Sequence, residues 1–415
     1  MVNSVMEIPV IRATHLLFAA VILAAFSLPA SGREIFITDN KLAAHMKEAK
    51  PGDIFIIAPG RYSIKRYIEL TANGTKAEPI TVKPFEGGKV IIETAGAIGF
   101  KITGSNWIIE GLEFNGTCGN HQACEHALQI ASKADNTIVR RNKFVDFNAA
   151  IKGNGEIIDG RQYFPDDVLI EDNVIYNTTP RRTKTPVTPI DVVGGRRWIV
   201  RGNFIADFAK AVGSPVSYAA FLKGNSDHGL FERNLVICEW RHSGGVRLGL
   251  SLGGGGVTNP DYCQGRSCKI EHYKGVIRGN VIMNCPADVG IYLNNAASTE
   301  ITNNTLVNTA GIDVRFNGSF ATIVNNVIQG RIKERDGGRF REFGNVIVED
   351  IEDIFPRARF YDLTPEDADD LEDAAFGFEG RDYCTGKPLE KWVGAFDQPM
   401  SCKIADVLKR IGDER

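Results

Sequence analysis

Apolar and polar residues alternate along most of this chain in short runs broken by Gly, Asn and Asp. Between Thr137 and Gly330 one phrase recurs: TIVRRNKFVDF, VLIEDNVIYNT, WIVRGNFIADF, GLFERNLVICEW, GVIRGNVIMNC, TEITNNTLVNT and ATIVNNVIQGR. Each copy leads through alternate apolar positions to an Asn, then to a second short apolar strand. The Asn falls at 142, 173, 203, 234, 280, 304 and 326, in steps of 31, 30, 31, 46, 24 and 22 residues. Alternation with period two predicts strands. A repeat of roughly 20–31 residues made only of strands and turns predicts a solenoid whose coils are sheet. The shortest steps leave no room for a crossover helix, and a β-sandwich does not repeat an Asn corner. The predicted fold is all-β, a right-handed parallel β-helix. An Asn at the same corner of every coil is expected to bond its neighbours above and below and to tolerate left-handed turn geometry.

Another strand can be aligned within each coil: ALQIAS, AAIKGN, PIDVVG, AFLKGN, GLSLGG, GIYLNN and GIDVRF. Alternation turns Ile130, Ile151, Val192, Leu222, Leu252, Leu293 and Val314 inward as one stack. Their neighbours then face out in two columns. One is Gln129, Ala150, Asp191, Phe221, Ser251, Tyr292 and Asp313; the other is Ala131, Lys152, Val193, Lys223, Gly253, Asn294 and Arg315. With coils about 4.8 Å apart, the columns make a shallow groove along the axis. Three insertions overhang it: 155–165, the basic and Pro-rich 179–189, and a long stretch from Trp240 to Tyr273 that accounts for the 46-residue step. Long loops on a regular scaffold usually carry function.

Upstream, KLAAHMKEAKPGD has the helical period, with Leu42, Ala43, Met46 and Ala49 on one face, Asp39 or Asn40 as cap and Pro51-Gly52 as stop. A helix over about 41–50 is therefore expected to cover the open end of the solenoid. Before it, Arg12 and LLFAAVILAAFSLPASG read as an export signal over residues 1–32, cleaved after Gly32, so the protein is expected to be secreted or periplasmic. Eight cysteines in an exported chain point to disulfides. Cys118/Cys124, Cys263/Cys268 and Cys384/Cys402 lie close in sequence. Cys238 and Cys285 fall in successive coils but are offset by one residue, which leaves their pairing open. Net charge is only −3, yet eleven acidic and two basic residues lie between Glu349 and Asp373, so the body is basic. The expected organisation is the signal, a β-helix over 33–348 and an acidic segment over 349–415 that closes the solenoid. A basic body favours an anionic partner.

The opening PGDIFIIAPGRY, followed by a Gly-Thr turn and EPITVKPFEGGKVII, resembles exported β-helix proteins related to chondroitinase B and the alginate lyases of polysaccharide lyase family 6. GRDYCTGKPLEKWVGAFD near the end resembles the closing phrase of the same group. The resemblance implies β-elimination on a uronate-containing polysaccharide by a catalytic Lys, with an Arg about one coil later. In this chain those are Lys223 and, of Arg241, His242 and Arg247, most closely Arg247. Chemistry agrees: the proton α to a uronate carboxylate is weakly acidic, so the carboxylate must meet cations while a base removes the proton. Tyr292 is a candidate leaving-group acid or stacking platform. Lys152, Asp191, Arg241, His242 and Arg315 are candidates for binding substrate. Calcium-dependent members carry acidic ligands just before the Lys, whereas GSPVSYAAFLK has none, so no cofactor is predicted, with calcium left open as the one alternative. The expected partner is an anionic polysaccharide rather than a nucleic acid, bound by a monomer with no stable membrane span once the signal is removed. Two other readings stay open. An outward Lys is often only a solvated surface residue, in which case the groove binds sugar without cleaving it. A glycoside hydrolase is disfavoured, because Asp191 and Asp313 share a column four coils apart, roughly 19 Å at the usual spacing, where an inverting pair needs about 6.5–9.5 Å.

Overall fold

The computed structural model describes Met1 and residues 32–367, 369–372, 380–397 and 402–413. Apart from Met1 and Gly32, the predicted export signal lies outside these residues. Among the described residues the strands assemble into three long parallel sheets. Sheet 1 has 12 strands, from Glu34–Ile37 to Arg339–Phe343. Sheet 2 has 10, from Ile68–Leu70 to Arg331–Arg335, and sheet 3 has 11, from Gly60–Ile64 to Val346–Val348. Each complete coil gives one strand to each sheet, as in Ile138–Arg140, Lys143–Val145 and Ile151–Asn154. The fold is the predicted right-handed parallel β-helix.

The Asn corner joins sheet 1 to sheet 3, and it is a continuous ladder. Each Asn carboxamide oxygen accepts the backbone N–H and the side-chain amide of the Asn one coil earlier, from Asn142–Asn173 at 3.0 and 3.2 Å to Asn304–Asn326 at 2.8 and 2.9 Å. Each amide also donates to a carbonyl of the preceding coil, for example Asn234 Nδ2 to Val200 O at 2.8 Å. The ladder runs one rung further than the repeat showed, to Asn345. The left-handed conformation belongs to the residue before each Asn: Arg141, Asp172, Gly202, Arg233, Gly279, Asn303 and Asn325 have φ between 52° and 65°. The Asn side chain is thereby left free to bond along the axis rather than to shape the turn.

The residues read as inward, Ile130, Ile151, Val192, Leu222, Leu252, Leu293 and Val314, are all buried, but Gly153 rather than Ile151 stands between Ile130 and Val192. At the N-terminal end α1 (Leu42–Met46) is shorter than the predicted 41–50. Leu42 and Met46 are buried and Ala49 packs against the core, but Ala43 is exposed. The Asp39 carboxylate accepts from Lys41 N at 3.2 Å.

Among its described residues the C-terminal segment covers the flank of sheet 3 rather than the far end. Ile354, Phe355, Trp392, Phe396 and Ile404 pack on outward-facing Tyr176, Phe204, Leu235, Met283 and Val307 of sheet 3. The outer face of that sheet is apolar and needs cover, so the tail lies along the flank. The last coil instead places exposed Glu334 and Glu342 opposite the core residues Val314 and Ile323, a polar terminus of the kind that stops a solenoid from propagating.

Four disulfides are present among the described residues: the three expected and Cys238–Cys285. Ile237 pairs with Met283, and Asn284 in the left-handed region (φ 54°) takes up the one-residue offset. Disulfides persist in oxidising compartments. No helix of the described residues is long and apolar enough to cross a membrane.

Candidate functional site

The outward face of sheet 2 is walled on both sides. Loops entering the sheet form one wall: Arg182 N donates to His121 Nδ1 at 3.0 Å, and Thr185 Oγ1 to Glu125 Oε1 at 3.1 Å. Loops leaving the sheet form the other. The hairpin Glu156–Ile158/Arg161–Tyr163 meets the disulfide-clipped loop through Gln162 Nε2, which donates to Cys263 O at 2.9 Å. Arg266 Nη2 donates to Gly160 O at 3.0 Å. Between the walls lies a concavity of about 500 Å³ lined by Glu125, His126, Gln129, Lys152, Asn154, Asp191, Val193, Lys223, Val257 and Tyr262, among others.

Three predicted residues meet here: Lys152, Asp191 and Lys223. The columns differ from the predicted ones at one coil. Gln129 pairs with Lys152 and Lys152 with Asp191, so the coil of Lys152 is shifted by two residues and Ala150 drops out of the groove. The shift sets the Lys152 ammonium 2.7 Å from the Asp191 carboxylate. From Asp191 onward the register is as read: Asp191, Phe221, Ser251, Tyr292 and Asp313 stack in one column. Lys223 follows Val193 in the other. Its Nζ donates to Gly255 O at 2.9 Å and lies 4.3 Å from the Phe221 ring centroid. Burial, with the nearby Lys152 charge, holds the Lys223 pKa below its usual value against the opposing pull of Asp191 and Glu271.

The other predicted residues are elsewhere. Arg247 is not in the groove but buried, 1% exposed. Its guanidinium donates to Cys238 O, to Gly244 O at 2.8 Å and to His242 O at 3.0 Å, 3.8 Å from Asp207. The cause is an irregularity shared by the paired strands Val216–Lys223 and Val246–Leu252, where Ala219 and Gly249 together drop out of the pairing while the register on either side is unchanged. Leu248 packs outside with Tyr292 and Tyr218 while Leu250 points into the core, so Arg247 lies on the opposite face from Ser251. His242 lies beside Arg247 and 3.9 Å from Asp207. Arg241 stacks on Trp240 and Tyr176, 3.7 and 4.4 Å from their centroids. These three form a structural corner away from the concavity. Arg247→Ala is therefore expected to lower stability by about 3–5 kcal/mol, the usual penalty for stranding a buried charge, read as a fall in the urea midpoint; a change in kcat with unchanged stability would contradict this.

Tyr292 is on the groove column but nearly buried, its hydroxyl 3.3 Å from Arg315 Nη1 and Asn294 Nδ2. Arg315 is three coils from Lys223, roughly 14 Å along the axis, and bound to Asp336 at 2.5 Å. Of the basic residues between Arg181 and Arg201, Arg196, Arg197 and Arg201 pair with Asp227, Asp167 and Glu171, and Arg181 is buried. Arg182 and Lys184 are exposed on the wall of entering loops; Arg196 and Arg197 are exposed too, but ion-paired.

Sequence reasoning missed Glu125 and His126. Ala127 and Leu128 both donate to Ala150 O, a bulge that turns His126 onto the groove face although alternation from Gln129 would put it inside. His126 bonds Ala149 O through Nδ1 at 2.9 Å, and burial lowers its pKa to about 4. Burial likewise raises the Glu125 carboxyl, opposed by bonds from Thr185 and Asn148 and reinforced by the Asp191 charge. The adjacent Glu125-His126 pair just before a predicted strand was the available signal. Among the described residues no three or more His, Cys, Asp or Glu side chains converge as a metal site. The donors near Lys223 do not suit calcium either: Asp191 is engaged by Lys152, and its column neighbour is Phe221.

The family model for chondroitinase B matches residues 37–157. By structure the chain is similar to pectate lyase Pel9A, at 14% identity and TM-score 0.57, covering 88% of this chain and 97% of that one. It is similar to a GH136 lacto-N-biosidase from Eubacterium ramulus, at 12% identity and TM-score 0.54 over 76% and 68% of the two chains. It is also similar to XylC in complex with xylose, at 12% identity and TM-score 0.52 over 80% and 78%. No curated protein matches it in sequence. At these identities the structural likeness shows the fold alone.

Proposed function

We propose that this chain, a parallel β-helix of the pectate-lyase-like kind, is an exported protein that binds a uronate-containing polysaccharide in the sheet 2 groove and cleaves it by β-elimination. The observation that carries the reading is the gathering of Lys223, Lys152 and Asp191 on the floor of one walled concavity, with Lys223 desolvated. A Lys acts as a base only when burial and neighbouring cations favour its neutral form. In this scheme the Lys223 amine takes the proton α to the uronate carboxylate. A C=C bond forms as the β C–O bond breaks, and the leaving oxygen takes a proton. Lys152 meets the carboxylate charge, and Glu125, with its raised carboxyl pKa, replaces Tyr292 as proton donor. Exposed Tyr262 on the wall offers a ring for sugar stacking.

A screen of alginate, chondroitin and pectate, followed by ultraviolet absorbance of the unsaturated end, tests this reading; binding without unsaturated product would favour the non-catalytic alternative. The pH profile is a further check. The base must be neutral, so kcat/KM is expected to rise with pH through a midpoint below the ordinary lysine value of 10.5. A profile flat or falling over that range would count against Lys223.

A further inference from the structure

We propose that the groove is blind at the Lys223 end, so that the protein takes hold of one terminus of its polysaccharide and releases short products of fixed size. This rests on the anionic-polysaccharide reading above. The observation is the path of the chain after Leu252. Gly253, Gly255 and Gly256 have φ of 79°, 68° and 79°, and this run carries the backbone across the outer face of sheet 2 instead of away from it. Gly254 lies against both floor residues of the preceding coil: a Cβ there would be 3.3 Å from Lys223 Cδ and from Phe221 Cδ1. A Cβ at Gly255 would be 3.3 Å from Asn294 Nδ2, in the following coil. The strap therefore bridges the columns where an extended polymer would have to pass.

It is also tied down. The Glu271 carboxylate accepts from Gly254 N and Gly255 N at 2.8 and 3.0 Å, and Lys223 donates to Gly255 O. Beneath and beyond it the outward-facing Ser251 is fully buried, and Asn294 and Tyr292 are nearly so. In the other direction the column continues to half-buried Lys101 and exposed Glu69, so the slot opens that way. The side chain offered as base thus stands at the closed end, one short span from wherever the polymer stops.

Binding of oligogalacturonates and oligoguluronates of two to eight units, measured at a pH low enough that no unsaturated product forms, tests this. Affinity is expected to level off after a few units. A bulky fluorophore at one terminus should abolish binding and the same group at the other should be tolerated. Affinity that climbs with every added unit and tolerance of both tags would overturn the blind end while leaving the polysaccharide reading standing. Binding of none of these oligomers would remove that reading and the end recognition with it. As a second measure, Glu271→Ala, which unties the strap, is expected to broaden the product lengths released from polymer, whereas Glu271→Gln, which keeps an acceptor for the strap amides, should keep them narrow. Identical distributions for wild type and Glu271→Ala would count against the strap as the stop.

Discussion

Replacing Lys223 with arginine is expected to lower turnover by about 10²–10⁴-fold, the range a positioned general base supplies, and to leave the coil stack folded. Arginine keeps the positive charge and can still donate toward Gly255 O and lie over Phe221. It cannot give up its proton at any working pH. If the Lys223 charge only held an anionic sugar, the substitution would change KM or Kd modestly and leave product formation in place. If the neutral amine is the base, kcat collapses while binding survives. Alanine is the complementary variant: it loses the bond to Gly255 O and the contact with Phe221, so both binding and strap position should weaken. One neutral hydrogen bond is worth about 0.5–1.5 kcal/mol, too little to unfold a β-helix of this length. Circular dichroism and a urea midpoint close to wild type would establish that the loss of activity is chemical. A Lys223→Arg protein with full activity would place the base elsewhere, and Glu125, His126, Lys152, Asp191 and Tyr262 are the other titratable groups that share the concavity.

The part of this site that could be read from sequence follows from what alternation does and does not specify. A strand slipped by one residue turns every side chain to the wrong face, so the pattern itself excludes that error; a slip of two keeps all faces correct and is invisible to it. This is why Ile151 was rightly turned inward, yet Lys152 was set beside Val193 rather than on Asp191. The ion pair that defines the floor of the concavity depended on that hidden slip. Bulges are the second limit. At Ala127–Leu128 and at Ala219/Gly249 a residue that drops out of regular pairing changes the parity along the strand, bringing His126 out and taking Arg247 in. Neither leaves a compositional mark beyond a small residue. The fold suffered from neither ambiguity, because the Asn corner fixes one register mark per coil independently of alternation. The resemblance to lyases correctly implied the architecture, and it carried Arg247 into a role its burial does not allow.

Asn234→Ala should be among the most damaging single changes to stability, by about 3–5 kcal/mol, at the upper end of what point substitutions cost. Asn234 is fully buried in the middle of the ladder. Its Nδ2 donates to Val200 O at 2.8 Å and to Asn280 Oδ1 at 2.9 Å, and its Oδ1 accepts from Asn203 N and Nδ2 at 3.1 and 3.0 Å. Alanine would strand a backbone N–H, an amide hydrogen and a carbonyl where no solvent reaches, each costing about 1–3 kcal/mol before relaxation. Asn345→Ala removes the last, half-buried rung, where water can substitute, and should cost distinctly less. Asn234→Asp separates the donor from the acceptor role. Its carboxylate would still accept from Asn203 but would face the oxygens of Val200 and Asn280, so at neutral pH it should be at least as damaging as alanine. Those oxygens favour the protonated acid, which raises the folded-state pKa above the unfolded value of about 3.9. The Asp variant should therefore regain stability relative to wild type as pH falls toward 4, because the folded state then binds the extra proton more tightly than the unfolded chain. Urea midpoints of the three variants at pH 7 and pH 4 check the argument. Equal costs for Asn234→Ala and Asn345→Ala would mean that the rungs act independently of their burial and that the column is not what holds the coils in register.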